Sequence, residues 1–245
     1  MKPAAGPRTL AIDIGGSHLK ASILDARGVM TEPPRRVATP NPATPDAVVR
    51  DLVALVQPLG KFDRIAVGFP GVVRNGRVLT APNLGTAVWR DQQLAAQLTE
   101  KLGKPARLMN DATVQGLGVI SGKGIECVIT LGTGMGFALF DNGRPGPHLE
   151  LSHHPFRGGK TYEEYVGNIA LRAKGHRRWN KRVNRVISTI DNLVTYDVLY
   201  VGGGNAKHIA FKLPPRVRIV SNEAGITGGV HLWDAALEGV MEAGG

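Results

Sequence analysis

Apolar runs interrupted by paired glycines set the organisation of this chain. Thr9-Leu10-Ala11-Ile12-Asp13-Ile14 is aliphatic and β-branched, meets Gly15-Gly16 and resumes as Leu19-Lys20-Ala21-Ser22-Ile23-Leu24, which predicts a hairpin. Val128-Ile129-Thr130-Leu131, then Gly132-Thr133-Gly134, then Phe137-Ala138-Leu139-Phe140 repeat the pattern in the second half. Glycine adopts positive φ at such turns without steric penalty and leaves its N–H groups open to an anion. Glycine turns are also ordinary in hairpins; an aspartate in the first strand and a threonine in the second turn favour a phosphate. Strand, not helix, follows Asp13 to His18, so neither a P-loop nor a Rossmann fingerprint fits. With a period near half the chain, the expected architecture is a duplicated pair of lobes and not a solenoid.

A third strand is expected near Val29 to Thr39, followed by a proline-rich loop from Pro40 to Pro45. Val48, Val49, Leu52, Val53, Leu55 and Val56 form a helical stripe after Asp46, stopped by Pro58 and Gly60. Arg64 to Phe69 reads as a strand, and Asn75-Gly76 as a hairpin turn between Val72-Val73 and Val78-Leu79. Leu94, Leu98 and Leu102 predict a helix over Trp89 to Leu102, before a strand from Ala106 to Met109 delivers Asn110-Asp111 to a helix through Val114, Leu117 and Ile120. The second half repeats the order: hairpin, a loop through Glu150 and His153, a long helix, a strand over Asp197 to Val201, and the turn Gly202-Gly203-Gly204. A strand at Val217 to Val220 and a terminal helix after Gly229 complete it. The class is α/β with mixed sheets, with lobes expected at 1–110 and 111–245 and the terminal helix able to pack back on the first lobe.

Composition narrows the partners. The 245 residues, 42% hydrophobic, suffice for one large core or two modest ones. A net charge of +10 points to a polyanion: nucleic acid, an anionic membrane or a highly phosphorylated substrate. Aromatic content of 5% is thin for stacking on single strands, which disfavours nucleic acid. Cys127, the single cysteine, lies in an apolar run and reads as a buried strand residue, without a disulfide, in a reducing compartment. No run approaches the ~20 apolar residues of a spanning helix, and Met1 to Arg8 has no apolar leader segment, so a cytoplasmic protein with no membrane partner is expected.

Three ordered motifs resemble those of the ROK sugar kinases, within the hexokinase and actin-like ATPase superfamily. Asp13 to Lys20 is similar to that family's first phosphate motif, Leu131 to Gly136 to its second, and Val201-Gly202-Gly203-Gly204 to its adenosine motif. The resemblance covers nearly the whole chain and is greatest to the polyphosphate-using glucokinases. It implies a two-lobed, duplicated ribonuclease H-like fold with a cleft between lobes. The implied activity is phosphoryl transfer to the 6-hydroxyl of glucose or a related hexose, by a homodimer whose lobes close on substrate.

Residue by residue, the resemblance implies Asp111 as general base, and Asn83, Asn110, Asp111, Glu150 and His153 as sugar ligands. Asp13, Gly15, Gly16, Ser17, Lys20, Gly132, Thr133, Gly134 and Gly136 are implied phosphate contacts, with Asp13 holding Mg²⁺ through water. The residue types suit these roles. A sugar hydroxyl is a poor nucleophile, and a carboxylate at a strand end can accept its proton. Amide, carboxylate and imidazole groups match a ring of hydroxyls that both donate and accept. Other readings stand beside these: Asp111 as N-cap of a helix beginning at Ala112, Asp13 as an acid fixing its turn, and His153-His154 as surface histidines. Two departures are visible. Ser152 replaces the glycine of the family's Glu-x-Gly-His, and the cysteine cluster of its structural zinc is missing, so no zinc is expected.

The donor divides between polyphosphate and ATP. Arg172, Lys174, Arg177, Arg178, Lys181, Arg182 and Arg185 interleave with Trp179, Val183, Val186, Ile190 and Leu193 at helical spacing. This is either a solvated face over a buried stripe or a polyphosphate track through Arg177, Arg178, Lys181, Arg182 and Arg185. The absence of acids between Ala170 and Ile190 favours the track. Gly202, Gly203 and Gly204 point instead to a nucleotide, or to close packing at a turn. Polyphosphate is the preferred expectation and ATP the alternative. A non-catalytic sugar sensor is third, with Asp111 and both phosphate turns counting against it.

Overall fold

The computed structural model describes residues 5–221 and 223–237, which fall into two compact units. One holds the residues up to Gly118 together with those from Glu223 on; the other begins at Val119. The division falls at Gly118 and not at 110, because the helix after Asn110 packs on the strands before it and on the C-terminal segment.

In the first unit β1 (Thr9–Ile14) and β2 (His18–Leu24) form the expected hairpin, and β3 (Arg35–Ala38) follows. After α1 (Pro45–Val56) come β4 (Arg64–Phe69), the small hairpin β5 (Val73–Arg74) and β6 (Arg77–Val78), α2 (Thr86–Trp89), α3 (Leu94–Leu102), β7 (Ala106–Asn110) and α4 (Asp111–Leu117). The main sheet has the order β3-β2-β1-β4-β7. In the second unit β8 (Ile125–Leu131), β9 (Met135–Asp141) and β10 (Arg144–Pro145) precede the hairpin β11 (Pro155–Arg157) and β12 (Lys160–Thr161). Then follow α5 (Tyr162–Val166), α6 (Asn168–Val194), β13 (Val198–Gly202) and β14 (Val217–Ile219), and the main sheet has the order β10-β9-β8-β13-β14.

Counting only the strands of each main sheet in chain order, both sheets run third, second, first, fourth, fifth. The first three strands are antiparallel, and the last two run parallel to the first. One topology occurring twice is the duplication that the glycine hairpins predicted, in the ribonuclease H-like α/β form that the resemblance implied.

Each unit buries its own core. Leu10, Ile12 and Ile14 alternate out of β1 onto Val48, Leu52, Leu94 and Leu98, while Ala11 on the opposite face meets Ile226 and Val230 of the C-terminal segment. With both faces covered, β1 is an almost unbroken apolar run, and Asp13 near its end shares the face of Ala11. Thr44 caps α1 by accepting the Ala47 N–H, and Val48, Val49, Leu52 and Val56 turn inward, each burial contributing about 1.5–3 kcal/mol. In the second unit Cys127, Ile129 and Leu131 pack with Trp179, Val183, Val186 and Ile190 of α6. Burial pushes the Cys127 thiol up to about 12, as suits an inert strand residue.

Glu126 is 0% exposed. It accepts the Ser121 N–H and Oγ–H, the Gly122 and Lys123 N–H groups and the Tyr200 hydroxyl at 2.8 to 3.2 Å. Burial pushes its carboxyl up, and the bonds from Ser121, Tyr200 and Gly122 outweigh it and hold the group below its ordinary value.

Several elements differ from expectation. The strand expected near Val29 to Thr39 is confined to β3 and a single bridge at Met30, since Pro33 and Pro34 offer no N–H to a ladder. The helix expected from Trp89 is two helices, with Asp91 left-handed between them at φ 66°. Trp89 is 0% exposed, its ring 5.0 Å from Phe69 and its Nε1–H donating to Ala43 O at 2.8 Å, so the chain breaks to seat it. α4 stops at Leu117, short of Ile120, where a side chain on Gly118 would meet the Gly228 backbone at 3.0 Å. Where a terminal helix is expected after Gly229, the described chain has 3-10 turns at Gly228–Trp233 and Ala235–Leu237, preceded by a short helix, Ala224–Thr227; positions 238–245 lie outside the described residues. Among the described residues, no helix is long and apolar enough to cross a membrane.

Candidate active site

The candidate residues divide between the units. In the first, β1, β4 and β7 are parallel neighbours in which Asp13 pairs with Gly68 and Gly68 with Met109. Asp13 and Asp111 thus stand two strand spacings apart, about 10 Å, at the carboxyl ends of these strands, where open α/β sheets bind ligands. A Cβ on Gly68 would lie 3.4 Å from the Asp111 Cα and 3.7 Å from its Cβ, so Gly68 packs directly beside Asp111. Lys20, opposite Asp13 across the hairpin, places its ammonium 2.8 Å from Asp13 Oδ2.

Asn110, not Asp111, caps α4. Its Oδ1 accepts the Ala112 N–H at 3.0 Å and the Thr113 N–H at 3.2 Å, as a cap oxygen does. Its Nδ2 donates to Gly71 O at 3.2 Å, Asp111 Oδ1 at 3.1 Å and Phe69 O at 3.5 Å. Asp111 is the first helical residue, and its Oδ1 also takes the Ala112 N–H at 2.8 Å. Asn83 is exposed and lies against the first turn, its Cβ 3.5 Å from where a Cβ of Gly16 would stand.

The first turn is tied down on its own terms. Gly15 N–H donates to His18 O at 3.0 Å, and Thr39 Oγ1–H to Gly15 O at 2.6 Å. Contrary to expectation, Gly15, Gly16, Gly132, Gly134 and Gly136 are not left-handed. Glycine answers close approach instead: a Cβ on Gly15 would sit 3.0 Å from His18 O, and one on Gly134 would overlap the Glu163 carboxylate. Gly132 has nothing within 4 Å of its Cβ position, so no contact inside the fold requires it to lack a side chain.

The second turn also corrects the set of donors. Gly132 N–H bonds Gly134 O at 3.1 Å and Gly136 N–H bonds Thr130 Oγ1 at 3.0 Å, so these two N–H groups close the turn, as does that of Gly15 in the first. Asn168 N–H, at the start of α6, reaches Gly132 O at 3.0 Å and Thr133 O at 3.1 Å. Asn205 Nδ2–H donates to Gly132 O at 3.0 Å and Asn205 N–H to Leu131 O at 2.9 Å. Gly202 to Gly204 therefore lie beside the turn. Gly203 is left-handed at φ 85°, with its Cβ position 2.3 Å from Leu131 O, and is fixed by packing; Gly204 has nothing within 4 Å.

Glu150 precedes the 3-10 turn Leu151–His153. Its Oε1 accepts a hydrogen bond from His148 Nε2 at 2.8 Å, and its Oε2 lies 3.7 Å from His153 Nε2. Ser152 is buried and is not among the left-handed residues, so the turn accepts a side chain where the family pattern has glycine.

α6 is broken at Gly175 (φ 70°, ψ 163°), which separates Arg172 and Lys174 from the basic run after it. Arg177, Arg178, Lys181 and Arg185 are exposed over buried Trp179, Val183 and Val186. Arg182 is a structural exception: its guanidinium lies 4.5 Å over the Tyr165 ring and donates to Tyr165 O at 3.1 Å.

Sequence reasoning missed His148, Glu163, Asn168 and Asn205. One signal was present: Thr161-x-x-Glu164 is a capping box that starts α5 and so seats Glu163. Contacts between loop residues such as His148 and Glu150 carry no periodic signature.

A model of the ROK family matches residues 9–155. A polyphosphate glucokinase of Mycobacterium tuberculosis is 32% identical, over 89% of this chain and 88% of its own. The crystal structure of an inorganic polyphosphate/ATP-glucomannokinase from Arthrobacter sp. strain KM superposes with a TM-score of 0.83 at 32% identity, covering 92% of this chain and 97% of that one. A ROK family glucokinase from Streptomyces griseus, solved with glucose and AMPPNP, shares the fold at a TM-score of 0.76 and 19% identity, covering 92% and 98%. With the family model spanning more than half of the chain and both glycine turns lying inside the match, the chain belongs to the ROK family.

Proposed function

We propose that this chain transfers a phosphoryl group to the 6-hydroxyl of glucose, with Asp111 as general base and inorganic polyphosphate as preferred donor. The observation that carries the reading is the end of the first unit's sheet, where Asp13 and Asp111 flank Gly68. The similarity to a polyphosphate glucokinase and to a polyphosphate/ATP-glucomannokinase supports the phosphotransferase class and the hexose substrate.

Asp111 accepts the proton of the attacking hydroxyl as the bond to phosphorus forms. Asn110 holds it there by the 3.1 Å bond to Oδ1. Asn83, Glu150 and His153 bind sugar hydroxyls, and Asn110 joins them where a hydroxyl replaces its 3.5 Å contact to Phe69 O. Gly16, Ser17, Lys20, Thr133 and Gly134 contact the donor's phosphates. Gly15 and Gly136 shape the turns, their own N–H groups being engaged within them, while Gly132 leaves its open Cβ side to the phosphates. Mg²⁺ suits this side of the site: Asp13 offers a carboxylate that would hold the ion through water. When bound, the ion draws charge from the transferring group. Lys20 beside Asp13 adds a second positive charge to that side.

Arg177, Arg178, Lys181 and Arg185 form the polyphosphate track, with Arg182 fastening it to Tyr165. Gly204 favours a second donor reading, ATP, because no neighbour within 4 Å requires a glycine there. One assay matrix tests both: purified protein and Mg²⁺ with a panel of hexoses and either long-chain polyphosphate or ATP. Turnover of glucose with polyphosphate is expected. Turnover with ATP alone would remove the polyphosphate assignment, and none with any pair would remove the kinase.

A further inference from the structure

The sugar loop contains a residue for which the family motif gave no role. Glu150 has three side-chain torsions and is about one-third exposed, its side chain at 31%. Among the described residues, the bond from His148 Nε2 at 2.8 Å is the hydrogen bond its carboxylate receives, since His153 at 3.7 Å is beyond hydrogen-bond range. His148 is the more enclosed of the pair, its side chain at 20%. The backbone of the turn closes separately, His153 N–H to Glu150 O and His154 N–H to Leu151 O, and so does not restrain the carboxylate.

We infer that His148 is a positioning residue of the sugar site, holding Glu150 Oε1 so that Oε2 and the His153 ring are presented together to the hexose. The inference rests on the sugar-binding reading of Glu150 above. Ordering a long side chain on binding costs about 0.5–1.5 kcal/mol, and a carboxylate already held by a neighbour avoids that cost. His148 carries the proton on Nε2 in this arrangement, so any side chain that offers a donor from the same place can substitute for it. A purely apolar one cannot. The effect falls on sugar affinity, because the reacting hydroxyl is served by Asp111 and not by Glu150.

The test measures glucose binding by calorimetry without donor, together with steady-state kinetics, for His148→Leu, His148→Asn and Glu150→Gln. His148→Leu is expected to weaken glucose binding roughly tenfold, the size of a hydrogen bond to a charged group, with a matching rise in KM and kcat within about twofold. His148→Asn, which keeps a donor, is expected to restore most of the affinity. Unchanged glucose binding in His148→Leu while Glu150→Gln is weak would overturn the role of His148 and leave the sugar site standing. Unchanged binding in Glu150→Gln would remove the sugar site reading itself. Equal losses in both His148 variants with a lowered melting temperature would make His148 a structural residue, which also overturns the inference.

Discussion

Asn110 and Asp111 share one hydrogen bond, Nδ2 to Oδ1 at 3.1 Å, and the cap that the sequence offered to Asp111 falls to Asn110. Asn110 caps α4 through Ala112 and Thr113, and Asp111 stands as the first helical residue beside Gly68. Replacing Asp111 by asparagine keeps size and hydrogen bonding but removes the base. Turnover is expected to fall by about 10²–10⁴ with little change in glucose affinity. Near-normal turnover would return Asp111 to a structural role.

Asn110→Ala acts differently. It loses the cap and releases Asp111, so melting should report a loss of about 1–2 kcal/mol alongside reduced kcat. A kinetic loss at unchanged stability would contradict the cap described for α4.

The glycines of the second unit separate into two kinds. Gly203→Ala places a methyl 2.3 Å from Leu131 O at φ 85° and should destabilise the fold measurably. Gly132→Ala meets nothing within 4 Å and should melt like the wild type while raising the KM for the phosphoryl donor. Equal melting losses in both would show that Gly132 serves the fold.

Reversing Arg177, Lys181 and Arg185 together should weaken polyphosphate use and flatten its dependence on salt, since fewer counterions are released on binding. Leaving Arg182 in place keeps its contact with Tyr165 and therefore the packing of the helix. Unaltered polyphosphate kinetics would make this an ordinary solvated face.

Glu126 links stability to pH. Its carboxyl is held below the ordinary 4.5, so the stability it contributes is present above that value and is lost as pH falls through the folded-state value. Urea unfolding should show Glu126→Gln weaker by about 2 kcal/mol at neutral pH and converging on wild type under acid. A constant gap across that range would rule out the linkage.

The two main hairpins and the class were legible because each rests on apolar runs that glycine interrupts at fixed places. Trp89 misled because no proline or glycine separates it from the stripe Leu94, Leu98 and Leu102, while burial of the indole against Phe69 breaks the chain. Both Asn110 and Asp111 are good caps by type, so the choice between them needed the geometry of β7. The glycines of these turns were expected for left-handed backbone, but Gly15 and Gly134 meet close neighbours instead, and Gly132 has open space at its Cβ position. His148 escaped notice because its partner is two residues away in a loop, where no repeat constrains which side chains meet.

The interruption at Gly175 gives α6 two separate tasks. Asn168, at the near end, is fastened to Gly132 and Thr133, while the charged stretch from Arg177 to Arg185 follows the break. Each portion is held on its own: Trp179, Val183 and Val186 keep the second one in the core of its unit, so charge can be lost from its outer face while Asn168 stays on Gly132 and Thr133.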